Sequence, residues 1–131
     1  MNNVSICYDL KYPITHTSGA VMDYPGGTLT LHLRYCRDGP NYQGGFQFQK
    51  VRACRHKADY YCSSWEVESS SCKLVEVLNS AWVEELKASS IDGGGDDWSM
   101  HHYMFYFPDE GCYEIVADSW EALPEKEDTL S

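Results

Sequence analysis

The sequence has no apolar run near the length of a membrane span, which needs about 20 residues. Its first residues contain neither a basic segment nor an apolar stretch, so a secretory signal peptide is not expected. From these two absences we expect a cytoplasmic protein that does not enter a membrane.

The motifs that would identify a cofactor, a metal or a catalytic class are also missing. The six cysteines include no CxxC pair, which disfavours zinc-ribbon and thioredoxin-like proteins. In a reducing compartment we expect them to be reduced thiols, mostly buried. No GxSxG, P-loop, GxGxxG or HExxH motif occurs. No cofactor and no metal are therefore expected, and an enzyme is less favoured than a binding protein.

Basic residues are scarce: 10 Lys and Arg stand against 20 Asp and Glu, giving a formal net charge of −10. This charge disfavours nucleic acid and membrane surfaces and favours a basic protein partner. Residues 34–57 are the exception, with six basic residues and one acid. Their charges either orient an acidic ligand or pair with the acidic half of the chain.

The pattern of apolar residues predicts one α+β domain over residues 1–131, mostly antiparallel sheet. Residues 28–36 alternate apolar and polar side chains, as a half-buried strand does. A loop is predicted over residues 37–45, then a strand from Phe46 towards Tyr61 interrupted by a bulge. Residues 73–78 are predicted to form a further short strand.

One amphipathic helix is predicted in the second half, over the segment AWVEELKASS. Asn79 or Ser80 is its expected N-cap, and Trp82 and Leu86 share the face that packs on the sheet. The acidic tail from about residue 122 is expected to be loose.

The stretch HHYMFYFPDEGCYEIVADSW predicts a β-hairpin, with Gly111 at a position that needs a positive φ. A four-residue loop sets His101 opposite Asp118, and a three-residue loop over residues 109–111 sets His102 opposite Asp118. A carboxylate beside imidazole orients the ring for acid–base chemistry. Glu114, mid-strand in an apolar run, needs a partner or a proton if it is buried.

These four residues are therefore the candidate catalytic residues: His101, His102, Glu114 and Asp118. In the alternative interpretation the histidines begin an edge strand, and Glu114 lies in solvent or pairs with an arginine of residues 34–55. His101 and His102 point to opposite faces, so one metal ion is not expected to bind both.

The order of the segments NSAWVEEL, HHYMFYF and GCYEIVADSW resembles small uncharacterised bacterial domains, some grouped with immunity proteins of polymorphic toxin systems. The resemblance covers roughly residues 74–120 and implies a small cytosolic α+β protein that acts by binding. It transfers no functional residues.

Two functions follow as expectations. The first is non-enzymatic binding of a basic protein, immunity-like, through an acidic loop with an aromatic anchor. The binding residues expected there are Asp92, Asp96, Asp97 and Trp98. The second is a small enzyme or ligand-binding domain that uses the hairpin residues, with basic residues 50–57 orienting an acidic ligand. The oligomeric state stays open, and a dimer is one option.

Overall fold

The structure is a computed structural model that describes residues 3–10, 16–36, 39–89 and 99–127. Within these residues the chain forms nine strands in two antiparallel sheets, two short helices and one 3-10 turn. The strands are β1 (Val4–Asp9), β2 (His16–Gly26), β3 (Thr28–Cys36), β4 (Asn41–Gln49), β5 (Ala53–Lys57), β6 (Lys73–Val77), β7 (His101–Phe107), β8 (Gly111–Ala117) and β9 (Ser119–Glu127). The helices are α1 (Ser64–Ser70) and α2 (Ala81–Ala88), and the 3-10 turn spans Asp59–Tyr61. Neither described helix has the length and apolar character needed to cross a membrane.

The strand order brings distant segments together. One sheet has the order β1-β6-β7-β8-β5, and the other has the order β2-β3-β4-β9. The chain passes from the second sheet to the first between β4 and β5, next to Lys50, whose φ is 52°. It returns between β8 and β9, where the Asp118 amide donates to the Gln49 carbonyl at 3.0 Å.

The main core lies between the two sheets. On β3, Leu29, Leu31 and Leu33 are at most 1% exposed, which is the face that the alternating sequence predicts. The rings of Phe46 and Phe105 meet across the sheets in an edge arrangement at 5.2 Å. Aromatic pairs of this kind add to the free energy that area burial alone provides.

A second, smaller apolar cluster covers the outer face of the five-stranded sheet. Its buried members include Val75, Met104 and Cys112, and Trp65 of α1 packs against them. The central strands β7 and β8 are therefore covered on both faces, which is why most of their residues are apolar and buried. This double cover is why Glu114, in the middle of β8, is buried.

The expectation of a mostly antiparallel α+β protein is confirmed. The strand over residues 28–36 and the short strand from Lys73 are found where they were predicted. Ser80 is the N-cap of α2, with its hydroxyl accepting the Val83 amide at 3.2 Å.

Four local predictions differ from the structure. Residues 41–45 are part of β4, because this segment pairs with β3. The expected bulge after Phe48 is a crossing to the other sheet, which resolves the change of side-chain parity. A second helix, α1, lies at Ser64–Ser70. Residues 122–127, expected to be loose, continue β9 and pair with β4.

The pairing of β7 with β8 differs from both predicted registers. Phe107 lies opposite Gly111, so His101 faces Ala117 and His102 faces Val116. The connection is residues 108–110, one residue earlier than the three-residue loop expected, because Gly111 already belongs to β8. Its φ of 108° agrees with the predicted need for glycine.

Candidate functional site

Glu114 is the centre of a buried polar cluster on the outer face of the five-stranded sheet. Only 4% of the residue is exposed. The β5–β8 register places Arg55 directly opposite it. Arg55 Nε donates to Glu114 Oε2 at 2.8 Å and Nη2 donates to Oε1 at 3.2 Å, a two-pronged ion pair. This pair has the planar geometry that guanidinium and carboxylate groups favour.

The Glu114 carboxyl stays ionised despite its burial. Burial alone raises its pKa. Hydrogen bonds from His102 and Arg55, together with the positive charge of Arg55, lower the pKa by more than burial raises it. The net result is a pKa of about 2, below the ordinary 4.5. At neutral pH the carboxylate can therefore only accept hydrogen bonds.

His102 extends the cluster from Glu114 to Ser80. His102 Nε2 lies 2.8 Å from Glu114 Oε1, and because the carboxylate only accepts, Nε2 carries a proton. On the other side of the ring, Nδ1 lies 2.8 Å from Ser80 Oγ. In a neutral ring Nδ1 is then the acceptor and the Ser80 hydroxyl is the donor. The chain Arg55–Glu114–His102–Ser80 is continuous, and we call it the polar chain.

Trp82 of α2 packs against two members of the polar chain, His102 and Arg55. Its indole meets the His102 ring edge-on at 5.1 Å. The Arg55 guanidinium lies 4.0 Å from the centre of the same indole, within range of a cation–π contact. The indole therefore contacts both the imidazole and the guanidinium.

A second ion pair lies beside the polar chain. Lys57, two residues after Arg55, places Nζ 3.0 Å from both carboxylate oxygens of Glu66. Glu66 also accepts the Ser63 amide at 2.7 Å, as the third residue of a capping box at the start of α1. Burial raises the Glu66 pKa, but these hydrogen bonds and the Lys57 charge lower it overall.

A cavity of about 350 Å³ opens beside these groups. This is within the size range of small-molecule sites. The cavity is lined by both ion pairs, His102, Ser80, Ala81, Ser63, Val77, Trp65 and Trp82. It is mainly indole and aliphatic surface with a few charged groups of fixed orientation.

The cations of this cavity lie nearer to solvent than the carboxylates. The Arg55 side chain is 53% exposed while that of Glu114 is 6% exposed. For Lys57 and Glu66 the exposed fractions are 43% and 7%. A molecule that enters the cavity therefore meets the guanidinium and the ammonium before it meets either carboxylate.

Glu66, Cys112 and Glu114 have ligand atoms within 4.8 Å of one another, so they are the set nearest to a metal site in the described part of the chain. The set fits a metal poorly. Both carboxylates are already bound to Lys57 and Arg55. Burial, and then the charges of Glu114 and Glu66, raise the pKa of the Cys112 thiol well above its usual range, so the thiol keeps its proton.

The structure brings together two of the four predicted hairpin residues, His102 and Glu114. His101 points elsewhere: its Nδ1 lies 2.7 Å from Glu76 and its Nε2 lies 3.2 Å from Ser99. The expected pairing of a histidine with Asp118 is wrong, because the register puts Ala117 and Val116 opposite the two histidines. The alternative in which Glu114 pairs with an arginine of residues 34–55 is correct, and the arginine is Arg55.

The residues expected to form an acidic binding loop, Asp92, Asp96, Asp97 and Trp98, lie outside the described residues. Sequence reasoning placed Arg55 and Lys57 in a basic segment, but it did not single out either residue, and it missed Glu66 as the partner of Lys57. Ser63 followed by Glu66 is a capping-box signal that would have located α1. No local signal ties Arg55 to Glu114, because they are 59 residues apart.

The fold and the site together define a two-sheet α+β protein with a charged pocket on one outer face. No family model matches the chain, and neither do curated proteins or solved structures. The function is therefore argued from the geometry of this site.

Proposed function

We propose that this protein binds a small anionic ligand that has an apolar or aromatic body, in the cavity beside the polar chain. The observation that carries the proposal is the order of charges along the cavity. Arg55 and Lys57 are about half exposed, and the carboxylates that hold them in place are buried.

The cations keep donors for a ligand after they have bound their carboxylates. A guanidinium has five N–H groups, and Arg55 uses Nε and Nη2 to bind Glu114. An ammonium has three, and Lys57 directs its contacts to the single carboxylate of Glu66. Because the buried carboxylates fix both side chains, little conformational entropy remains to be lost on binding.

The remaining lining suits a flat apolar body. Trp65 and Trp82 line the cavity together with Val77 and Ala81. Indole surfaces provide contact area at a small entropic cost. A small aromatic carboxylate can therefore accept hydrogen bonds from the two cations while its ring packs against the indoles.

Calorimetric titration with three probes of similar shape tests this proposal. We expect benzoate to bind more tightly than neutral benzamide, and benzamide more tightly than cationic benzylamine. Hydrogen bonds to charged groups contribute about 1.5–3 kcal/mol, so Arg55→Gln or Lys57→Gln should weaken benzoate binding by about 10-fold or more. Arg34→Gln, on an exposed face of β3, is the matched control and should leave the affinity unchanged.

Two results would overturn the proposal. One is that benzoate binds no more tightly than benzylamine. The other is that Arg34→Gln weakens benzoate as much as the two pocket substitutions do. Thermal unfolding of each variant separates lost binding from lost folding, and the two pocket substitutions break different ion pairs.

A second candidate function is binding of a basic protein partner, in an immunity-like role. Two adjacent tyrosines favour it, because Tyr60 is 99% exposed and Tyr61 is 78% exposed. They lie in the 3-10 turn between Lys57 and Ser63, which both line the cavity. Exposed tyrosines are common anchors in protein interfaces, and the net charge of −10 suits a basic partner.

Affinity capture with three forms of the protein tests the second candidate. Wild type should retain one basic protein in stoichiometric amount, and Tyr60→Ser/Tyr61→Ser should lose it. Asp96→Lys/Asp97→Lys tests whether the acidic segment that contains these two residues takes part. If both variants retain the same protein as wild type, neither surface is the interface.

A further inference from the structure

We infer that Ser80 is a nucleophile for acyl transfer, with His102 as its general base and Glu114 as the group that positions the base. The inference rests on the proposed function, because the substrate would be a small ester whose anionic group binds Arg55 and Lys57. The inference is based on a hydroxyl, an imidazole and a carboxylate that are hydrogen-bonded in series beside a cavity.

The three side chains meet the requirements of an activated serine. Ser80 Oγ and His102 Nδ1 are 2.8 Å apart, and His102 Nε2 and Glu114 Oε1 are also 2.8 Å apart. Glu114 holds the ring proton on Nε2, which leaves Nδ1 of a neutral ring free to take the hydroxyl proton. All three residues line the cavity.

The backbone around Ser80 adds support. The residue lies in a tight connection from β6 to α2, directly after Asn79, which has a φ of 54°. Asparagine tolerates this left-handed conformation better than most residues. The connection places Ser80 Oγ at the first turn of the helix, whose early amides have no carbonyl partner within the helix and carry partial positive charge. When Ser80 Oγ bonds to a carbonyl carbon, the negative charge that develops on the oxygen of that carbonyl group would be stabilised there.

The reaction balances with water as the only co-reactant. Ser80 Oγ bonds to the ester carbonyl carbon while its proton moves to His102 Nδ1. The bond between that carbon and the leaving oxygen then breaks, and the leaving oxygen takes the proton from Nδ1. Water, deprotonated by His102, attacks the acylated serine and releases a carboxylic acid, which restores the Ser80 hydroxyl.

Hydrolysis of 4-acetoxybenzoate tests the inference, with neutral 4-acetoxybenzamide as the matched substrate. We expect wild type to hydrolyse the anionic ester faster than the neutral one. General base catalysis contributes about 10²–10⁴-fold, so His102→Asn should lower kcat by at least about 100-fold. Ser80→Asn should do the same while keeping an N-cap for α2, so loss of folding does not confuse the result. Ser89→Ala, beyond the last residue of α2, is the control.

A neutral fluorophosphonate probe identifies the nucleophile independently of the anion site. Peptide mass spectrometry should find the label on Ser80, and His102→Asn should prevent labelling. The inference is overturned if hydrolysis equals the solution rate, if it persists in Ser80→Asn, or if the label lies on another residue. Benzoate binding by wild type separates the two proposals. If wild type binds benzoate but hydrolyses no ester, the nucleophile alone is overturned. If Ser80 is labelled but wild type does not bind benzoate, the anion site alone is overturned.

Discussion

Replacing Glu114 by glutamine should destabilise the protein by about 2 kcal/mol at neutral pH. The fall of the Glu114 pKa from 4.5 to about 2 corresponds to about 3 kcal/mol of stability, which is an upper bound. Arg55 is 53% exposed and can be hydrated when unpaired, which reduces the loss. The glutamine carbonyl can replace one of the lost acceptors, whereas the buried Nε2 proton of His102 loses its charged partner.

The pH dependence of this difference follows from the direction of the shift. The folded-state pKa lies below the unfolded value, so the contribution is complete above about pH 4.5 and disappears as the pH falls through about 2. Urea unfolding of wild type and Glu114→Gln, followed by tryptophan fluorescence, should give a constant difference from about pH 7 to 5. The difference should then shrink as the solution becomes more acidic.

Glu76→Gln is the matched control for this experiment. Glu76 also pairs with a histidine, but the side chains of His101 and Glu76 are 38% and 30% exposed. Exposed pairs contribute about 0–1 kcal/mol, so this substitution should cost less than about 1 kcal/mol. Equal costs for the two substitutions, or a cost of Glu114→Gln that stays the same down to about pH 2, would show that Glu114 is not held ionised by its partners.

Two further predictions concern glycine and cysteine positions. Gly45 and Gly19 have almost the same φ, 141° and 142°, but an added Cβ at Gly45 would lie 1.9 Å from the Leu31 carbonyl oxygen while Gly19 faces open space. Urea unfolding should show a cost of about 1–2 kcal/mol for Gly19→Ala and a clearly larger cost, or failure to fold, for Gly45→Ala; equal costs would contradict the β3–β4 packing. The Cys112 thiol is buried and its pKa is raised by burial, so a disulfide reagent should modify the partly exposed Cys36 first in the native protein. Peptide mapping that finds Cys112 modified as fast as Cys36 would contradict its buried place beneath α1, on the strand next to β5.

The sequence predicts those parts of the fold that depend on local patterns. The alternation in β3 is visible because one of its faces is buried and the other is exposed. Ser80 as an N-cap is readable because capping depends on three or four neighbouring residues. Glu114 stands out as a carboxylate within an apolar run, and its burial follows from the cover on both faces of β8.

The rest of the site depends on contacts between distant residues. The Arg55–Glu114 pair needs β5 beside β8, and strand order across 59 residues has no local signal. The error over Asp118 has a similar cause, because the hairpin register changes with one residue of loop length. Five of the six cysteines are partly exposed, although the sequence predicted mostly buried thiols, because only Cys112 lies on a strand covered on both faces.

Amide chemical-shift mapping with benzoate shows whether the cavity beside the polar chain binds an anion. We expect the titration to shift the amides of Arg55, Lys57, Trp65, Ala81 and Trp82 together with the Trp65 and Trp82 indole signals. The amides of β2 and β3 in the other sheet should stay unchanged. Shifts confined to that other sheet, or an absence of shifts at the cavity, would contradict the claim.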